Sequence, residues 1–344
     1  MRRLVTRVAG VSLFAVVVWV GLSVGTARRQ SVERGGAITT VTEFERPGAS
    51  YKGFERGEAL ITVEELNRRI RADDPNLVLL AVVNPISYRA GHIAGSINVW
   101  RPDYEPQKGD RYPFDGMMVN RDEFQELART LGIDNDSEIV VYDDRYDATR
   151  VWWAFYLYGK TDVRVLDGGY PAWKAASYDT NLSLTRGKAD RRGDFVAESP
   201  RQGWKADMDD VWQAQTSEDI QLWDTREPDE WSGATTVGNA RRGGRVPWAN
   251  FQNWREYRVA IDDGPMSFKT APEIQAVIDE FGMSPEKDQI FYCQSGVRTT
   301  TAIFTLYLMG WDPDRLHNYD GSWLEWSYNE DNPIAVDRAA EAPK

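Results

Sequence analysis

The chain is 344 residues long and carries 53 acidic against 41 basic side chains, a formal net charge of −12. That balance argues against nucleic acid as a partner and leaves any small anion to be captured by local positive groups rather than by the surface as a whole. A single cysteine, Cys293, excludes an internal disulfide, and the sequence calls for neither a cofactor nor a metal.

In chain order, Arg2, Arg3 and Arg7 precede an apolar run from Val8 to Gly25, and Gly25, Thr26 and Ala27 supply the small residues of a signal-peptidase site. Residues 1–27 are therefore expected to be a cleaved signal peptide or an uncleaved membrane anchor, since residues 8–25 are about long enough to cross a bilayer with the basic end inside. Either version puts the rest of the chain in the cell envelope outside the cytoplasm, periplasmic or attached to the inner membrane. Cleavage removes three arginines and no acids, leaving a charge of −15. A lone thiol that persists in such a compartment argues for chemistry over packing.

Residues 28–55 are polar and without periodicity, and read as a tether and arm. A first domain, 56–180, opens with a capping-box helix start at Thr62-Val63-Glu64-Glu65. Residues 181–205 are expected to be a linker, since Arg186 to Gly193 within them is charged and nearly devoid of apolar side chains. A second domain, 206–336, holds another capped helix start at Thr270-Ala271-Pro272-Glu273, and residues 337–344 form a tail. Strands alternating with helices in both halves indicate α/β domains with mainly parallel sheets and ligand loops at the strand C-termini.

The two halves repeat with a period of about 150 residues. Phe124 to Gly132 is followed by the apolar strand Ile139-Val140-Val141-Tyr142 and then Asp143. Ile274 to Gly282 is followed by Ile290-Phe291-Tyr292 and then Cys293. Gly132 precedes Asp143, and Gly282 precedes Cys293, by the same eleven positions. Apolar helices ending at glycine come next, Val151–Gly159 and Thr301–Gly310. Asp167-Gly168-Gly169-Tyr170-Pro171-Ala172-Trp173 then matches Asp320-Gly321-Ser322-Trp323-Leu324-Glu325-Trp326.

This register puts Cys293 at the C-terminal edge of a buried strand, at the start of a short loop that runs into a helix. Gly296 is free to take positive φ, so several loop amides can turn inward, and the helix adds its N-terminal partial charge. With Arg298 at the loop's end, these surroundings favour thiolate over thiol without a histidine base. The chain has two histidines, His92 and His317, and neither is near Cys293 in sequence.

Cys293-Gln294-Ser295-Gly296-Val297-Arg298, a Cys-x-x-Gly-x-Arg loop between strand and helix, resembles the active-site loop of rhodanese-type sulfurtransferases. Gly91-His92-Ile93-Ala94-Gly95-Ser96-Ile97-Asn98 is similar to the family's Gly-His-Ile-x-Gly-Ala-x-Asn turn, which gives His92 a structural role. Gly244-Arg245-Val246-Pro247-Trp248-Ala249-Asn250 is a version that lacks the histidine. Trp223-Asp224-Thr225-Arg226-Glu227 resembles the Asp-x-Arg element of an active rhodanese domain, and Ala81-Val82-Val83-Asn84-Pro85 in the first half has lost both charges.

The resemblance implies two tandem rhodanese-like domains, each a mainly parallel sheet flanked by helices, with the first catalytically silent because Asp143 stands where the cysteine should be. Asp143-Asp144-Arg145 is expected to form a salt-bridged turn. The implied activity moves a sulfane sulfur from a small anionic donor such as thiosulfate, through a Cys293 persulfide, to a thiol, cyanide or protein acceptor. Gln294, Ser295, Gly296, Val297 and Arg298 are the implied substrate-binding loop, and Arg226 the implied anchor of the anionic donor, with a surface pair to Asp224 or Glu227 as its alternative. Arg245 is a further local positive group, and Trp248, Trp254 and Trp323 belong either to the pocket mouth or to the core.

Two other readings stay open. One is a non-turnover sulfur or selenium carrier, or a docking subunit of an envelope redox complex. The other is a cysteine phosphatase or arsenate reductase, which would need five residues between cysteine and arginine where four intervene here. Gln294 and Ser295 match neither the basic loop of thiosulfate-preferring members nor the Cys-Gly-Ser-Gly-Val of mercaptopyruvate-preferring ones, so the donor is open.

Overall fold

Two parallel sheets organise residues 50–260 and 266–337, which this computed structural model describes. The expected signal or anchor segment 1–27 and most of the arm lie outside the described residues, and among the described residues no helix is long and apolar enough to cross a membrane. The first sheet runs in the order Leu60–Ile61, Val163–Leu166, Glu138–Tyr142, Leu77–Val82 and Ile97–Val99. The second runs Lys205–Ala206, Leu316–Tyr319, Asp288–Tyr292, Ile220–Asp224 and Asn250–Phe251, the same order in the second half's residues. Every pairing in both is parallel. A parallel sheet is covered on both faces, and this explains why the central strands read as unbroken apolar runs rather than alternating ones.

Local signals set the helix ends. The Thr62 hydroxyl accepts the Glu65 amide at 3.2 Å and starts the helix Val63–Arg71. Glu273 reaches back to the Thr270 amide at 2.8 Å and starts Ala271–Phe281, which stops at Gly282 with φ 64°.

The two helices that follow the matched loops, Ala148–Leu157 and Thr299–Leu308, pack against each other across the domain boundary. Every residue of the first is buried, so it has no polar stripe and no amphipathic period to read. Trp152 meets Phe304 edge-on at 4.6 Å, and the hydroxyls of Thr149 and Thr300 lie 2.9 Å apart. One apolar core therefore runs through both halves. The first of these helices begins three residues before the expected Val151, where the Asp143 carboxylate accepts the Ala148 amide.

The linker is pinned to the first domain. Arg186 bonds Asn98 and Asp103, Arg191 pairs with Asp134 and Arg192 with Glu126, while Phe195 enters the core. Its charge density has acidic partners on the first domain. The described end of the expected arm is likewise docked: Lys52 pairs with Asp167 at 2.5 Å, Phe54 is in the core, and the Arg56 amide bonds Leu308 O.

Candidate active site

The site forms where strand Asp288–Tyr292 gives way to helix Thr299–Leu308. Cys293 is the first residue off the strand and is 1 % exposed. Gly296 has φ 70°, and a Cβ there would lie 2.9 Å from Asp320 O, so the turn admits only glycine comfortably. Three of the loop's carbonyls are engaged away from the sulfur. Cys293 O accepts the Trp323 amide at 3.0 Å, Gln294 O the Leu324 amide at 3.1 Å, and Gly296 O the Asn318 side-chain amide at 3.0 Å. Ser322 takes the Cys293 amide on its hydroxyl at 3.1 Å, and holds a left-handed φ of 48° to do so. Its first-half counterpart is Gly169, with φ 55°, which adopts the conformation without strain.

With the carbonyls held outward, the amides of Thr299, Ser295 and Arg298 turn to the sulfur. Burial pushes the Cys293 thiol up, but the Arg298 charge and these three amides more than offset it, and the thiol falls below its ordinary range. Neither histidine takes part. His92 is stacked on Tyr88 at 3.8 Å with Nδ1 on Tyr88 O, and His317 bonds Gly203 O.

Arg298 is itself fixed by Glu230, which accepts from both terminal nitrogens at 2.6 and 2.8 Å in a buried, bidentate pair. Glu230 escaped the sequence reading. The repeat did carry its trace, for the matching first-half positions hold Ser87 and Ala148, and both partners are lost together.

Arg226 is placed otherwise than expected. It is 1 % exposed, donates from Nε and Nη2 to Asp224 at 2.9 and 2.6 Å and from Nη2 to Gly244 O at 2.7 Å, and lies over the Trp323 ring at 4.5 Å. Nε and Nη2 are committed to Asp224, the partner named in the alternative expectation, in a pair that is buried rather than at the surface. Arg245 is also engaged, with Asp337 at 2.8 Å and Trp231 O at 3.2 Å. Trp254 and Trp323 are buried, and Trp248 stacks in a partly buried cluster with Trp212 and Trp326.

Gln294 and Ser295 stand at the open side of the loop, half-buried, while Gly296, Val297 and Arg298 are buried. Gln294 donates to Val237 O at 2.6 Å, and its carbonyl oxygen is buried without a partner among the described residues. The first domain closes in from the other side: a Cβ on Gly116 would lie 2.5 Å from that of Ser295, and Asn239 bonds Asp115 at 2.9 Å.

The first-half loop is different inside. Asp143 is buried, and its carboxylate accepts the Ala148 amide at the start of its own helix. None of the described ion pairs joins Asp143 or Asp144 to Arg145, so the expected salt-bridged turn is replaced by this helix-capping contact. Burial pushes Asp143 up to about 6 against the pull of Arg258.

The rhodanese-like domain model matches this chain twice, over residues 62–176 and 207–329. The chain belongs to the rhodanese family. A thiosulfate sulfurtransferase of Corynebacterium glutamicum is 29 % identical over 300 residues, covering 84 % of this chain and 94 % of that protein. The sulfur carrier protein TtuD of Thermus thermophilus is 29 % identical over 300 residues, 82 % of this chain and 98 % of its own length. Among solved structures, an anaerobic ergothioneine biosynthesis enzyme from Chlorobium limicola shares the fold with a TM-score of 0.71 at 24 % identity, covering 83 % of this chain and 71 % of that one.

Proposed function

We propose that the protein is a sulfurtransferase that takes a sulfane sulfur from a small donor such as thiosulfate and passes it to a thiophilic acceptor through a persulfide on Cys293. The observation that carries this is the amide cradle closed around the chain's one thiol, with the Arg298 charge fixed beside it. In the first step the thiolate attacks the outer sulfur of the donor. A Cys293 S–S bond forms, the donor's S–S bond breaks, and sulfite leaves with the electron pair. In the second step a thiol, cyanide or protein acceptor attacks the terminal sulfur and the Cys293 thiolate is restored.

The amides that stabilise the thiolate are placed to hold the persulfide's negative charge as well, without reorganisation between steps. Gln294 and Ser295 line the way in, Gly296 and Val297 shape the turn, and Arg298 supplies the charge. Arg226 acts as the support of the wall formed by Trp323 and not as the donor's anchor.

Thiosulfate:cyanide transfer assayed on the soluble protein and on Cys293→Ser tests the reading. Thiocyanate formation that vanishes in the variant is the expected result, and turnover that survives would sink the nucleophile. A carrier reading draws support from the likeness to TtuD, and stoichiometric sulfur uptake without turnover would favour it. The basic-then-apolar N-terminus supports a location outside the cytoplasm, by cleaved signal or by anchor at residues 8–25. A reporter active only outside the cytoplasm, fused at the C-terminus, would stay silent were that placement wrong.

A further inference from the structure

Arg150 lies in the first turn of the first domain's helix Ala148–Leu157, yet its side chain makes its hydrogen bonds elsewhere. Nη1 donates to Gly296 O, in the loop of Cys293, at 3.1 Å; Nη2 donates to Gly116 O at 3.0 Å and to the carboxylate of Asp320. The guanidinium is fully buried and stacks over the Trp153 ring at 4.7 Å. A buried ion pair is tolerated only when its remaining hydrogen-bonding capacity is well used. Asp320 meets that condition, since it also accepts the Met118 amide at 2.9 Å and lies 3.0 Å from Lys205. These cations and that amide offset the burial that would raise its carboxyl, and hold it at about 2.

What Arg150 grips is the left-handed residue on which the loop turns. The orientation of the Gly296 carbonyl decides which way the neighbouring peptide groups face, and hence whether the amides before and after it point to sulfur. Two donors hold that carbonyl, Asn318 from the same domain and Arg150 from the other, so both lone pairs are occupied. The equivalent position does not return the contact. In the second half Thr300 stands at the position of Arg150 and bonds Val297 O of its own loop at 2.6 Å. Asp167, the counterpart of Asp320, takes the Phe268 amide, the Ser267 hydroxyl and Lys52. The silent half reaches into the active loop with a charged side chain, and the active half has no such side chain at this position.

We infer that Arg150 is a positioning residue for the Cys293 cradle, supplied by the domain that has no cysteine of its own, and that it fixes the Gly296 peptide so that the loop amides stay turned to sulfur. The inference rests on Cys293 as the persulfide-forming nucleophile. It makes the first domain part of the catalytic apparatus.

The test uses the soluble protein and reads two quantities, the pH dependence of Cys293 alkylation by iodoacetamide and kcat against KM in thiosulfate:cyanide transfer. Arg150→Met is expected to displace the alkylation curve to higher pH and to lower kcat by about a hundredfold with a smaller change in KM. Arg150→Lys, which keeps the charge but loses the fork, is expected to fall between. The control is Arg164→Met. Arg164 is as deeply buried, pairs with Glu65 and bonds Leu60 O, all within the first domain and away from the loop. Its loss is expected to lower the melting temperature and leave the alkylation curve in place. An unshifted curve in folded Arg150→Met, or an equal shift in Arg164→Met, overturns the inference. Should Arg150→Met not fold, the Lys variant decides by the same displacement. Wild-type protein that gains no sulfur from thiosulfate would instead count against the proposed function, whichever way the curves fall.

Discussion

The loops that follow Glu138–Tyr142 and Asp288–Tyr292 leave equivalent strands, enter equivalent helices, and receive the same returning amide: Tyr170 N bonds Asp143 O at 2.8 Å as Trp323 N bonds Cys293 O at 3.0 Å. They differ in what the loop encloses. The second has glycine at the turn, an arginine at the helix start and a glutamate to hold it; the first has Tyr146, Ala148 and Ser87 at those places. In the first, the Asp143 carboxylate is the resident anion and takes the helix amide for itself. A rhodanese fold therefore supplies the frame of an anion cradle, and a handful of side chains decide whether the frame is left open for a sulfur or filled from within.

That difference is broken most severely at Glu230. Glu230→Ala strands Arg298 as a buried, unpaired charge, so stability should fall by about 3–5 kcal/mol and kcat/KM by about a hundredfold, read by thermal melts and the transfer assay. Gly296→Ala gives the active loop a side chain where only glycine fits. Strain of about 1–3 kcal/mol should slow transfer by roughly tenfold or more, and an unchanged rate would mean that the turn does not set the amides. Arg226→Ala should cost stability of about 3–5 kcal/mol by leaving Asp224 buried and unpaired, while the KM for thiosulfate changes little. A large rise in KM at an intact melting temperature would restore the role of donor anchor.

Asp143→Asn sharpens the comparison from the other side, with no expected change in transfer. The Asp143 carboxyl in the folded protein holds its proton up to about 6, above the ordinary carboxylate value. The folded state thus binds the proton more tightly, so the contribution is present below about pH 4 and is lost as pH rises through 6. Denaturant titrations should show wild type losing on the order of 2 kcal/mol across that window relative to the variant; parallel stability curves would contradict it.

Much of the frame was legible because its signals are local. Capping residues at Thr62 and Thr270, the unbroken apolar strands and the equal spacings to Asp143 and Cys293 all lie within a few residues of what they specify. The partners of the loop were not legible, because they come from far along the chain. Glu230 is 68 residues from Arg298, and Arg150 is 146 from Gly296. Arg226 was visible as a charge and Asp224 as one of its alternative partners, but only the fold shows that this pair is the one made and that it is buried. The linker's contacts were not legible for a related reason, since only the fold brings its arginines alongside Asp103, Asp134 and Glu126.

On this reading the second loop alone carries sulfur. Intact-mass measurement before and after thiosulfate treatment, with the modified peptide mapped, tests it directly. A gain of one sulfur per chain is expected, on Cys293, released on addition of cyanide and absent in Cys293→Ser; no gain in the wild type, or a gain that persists in the variant, would contradict it.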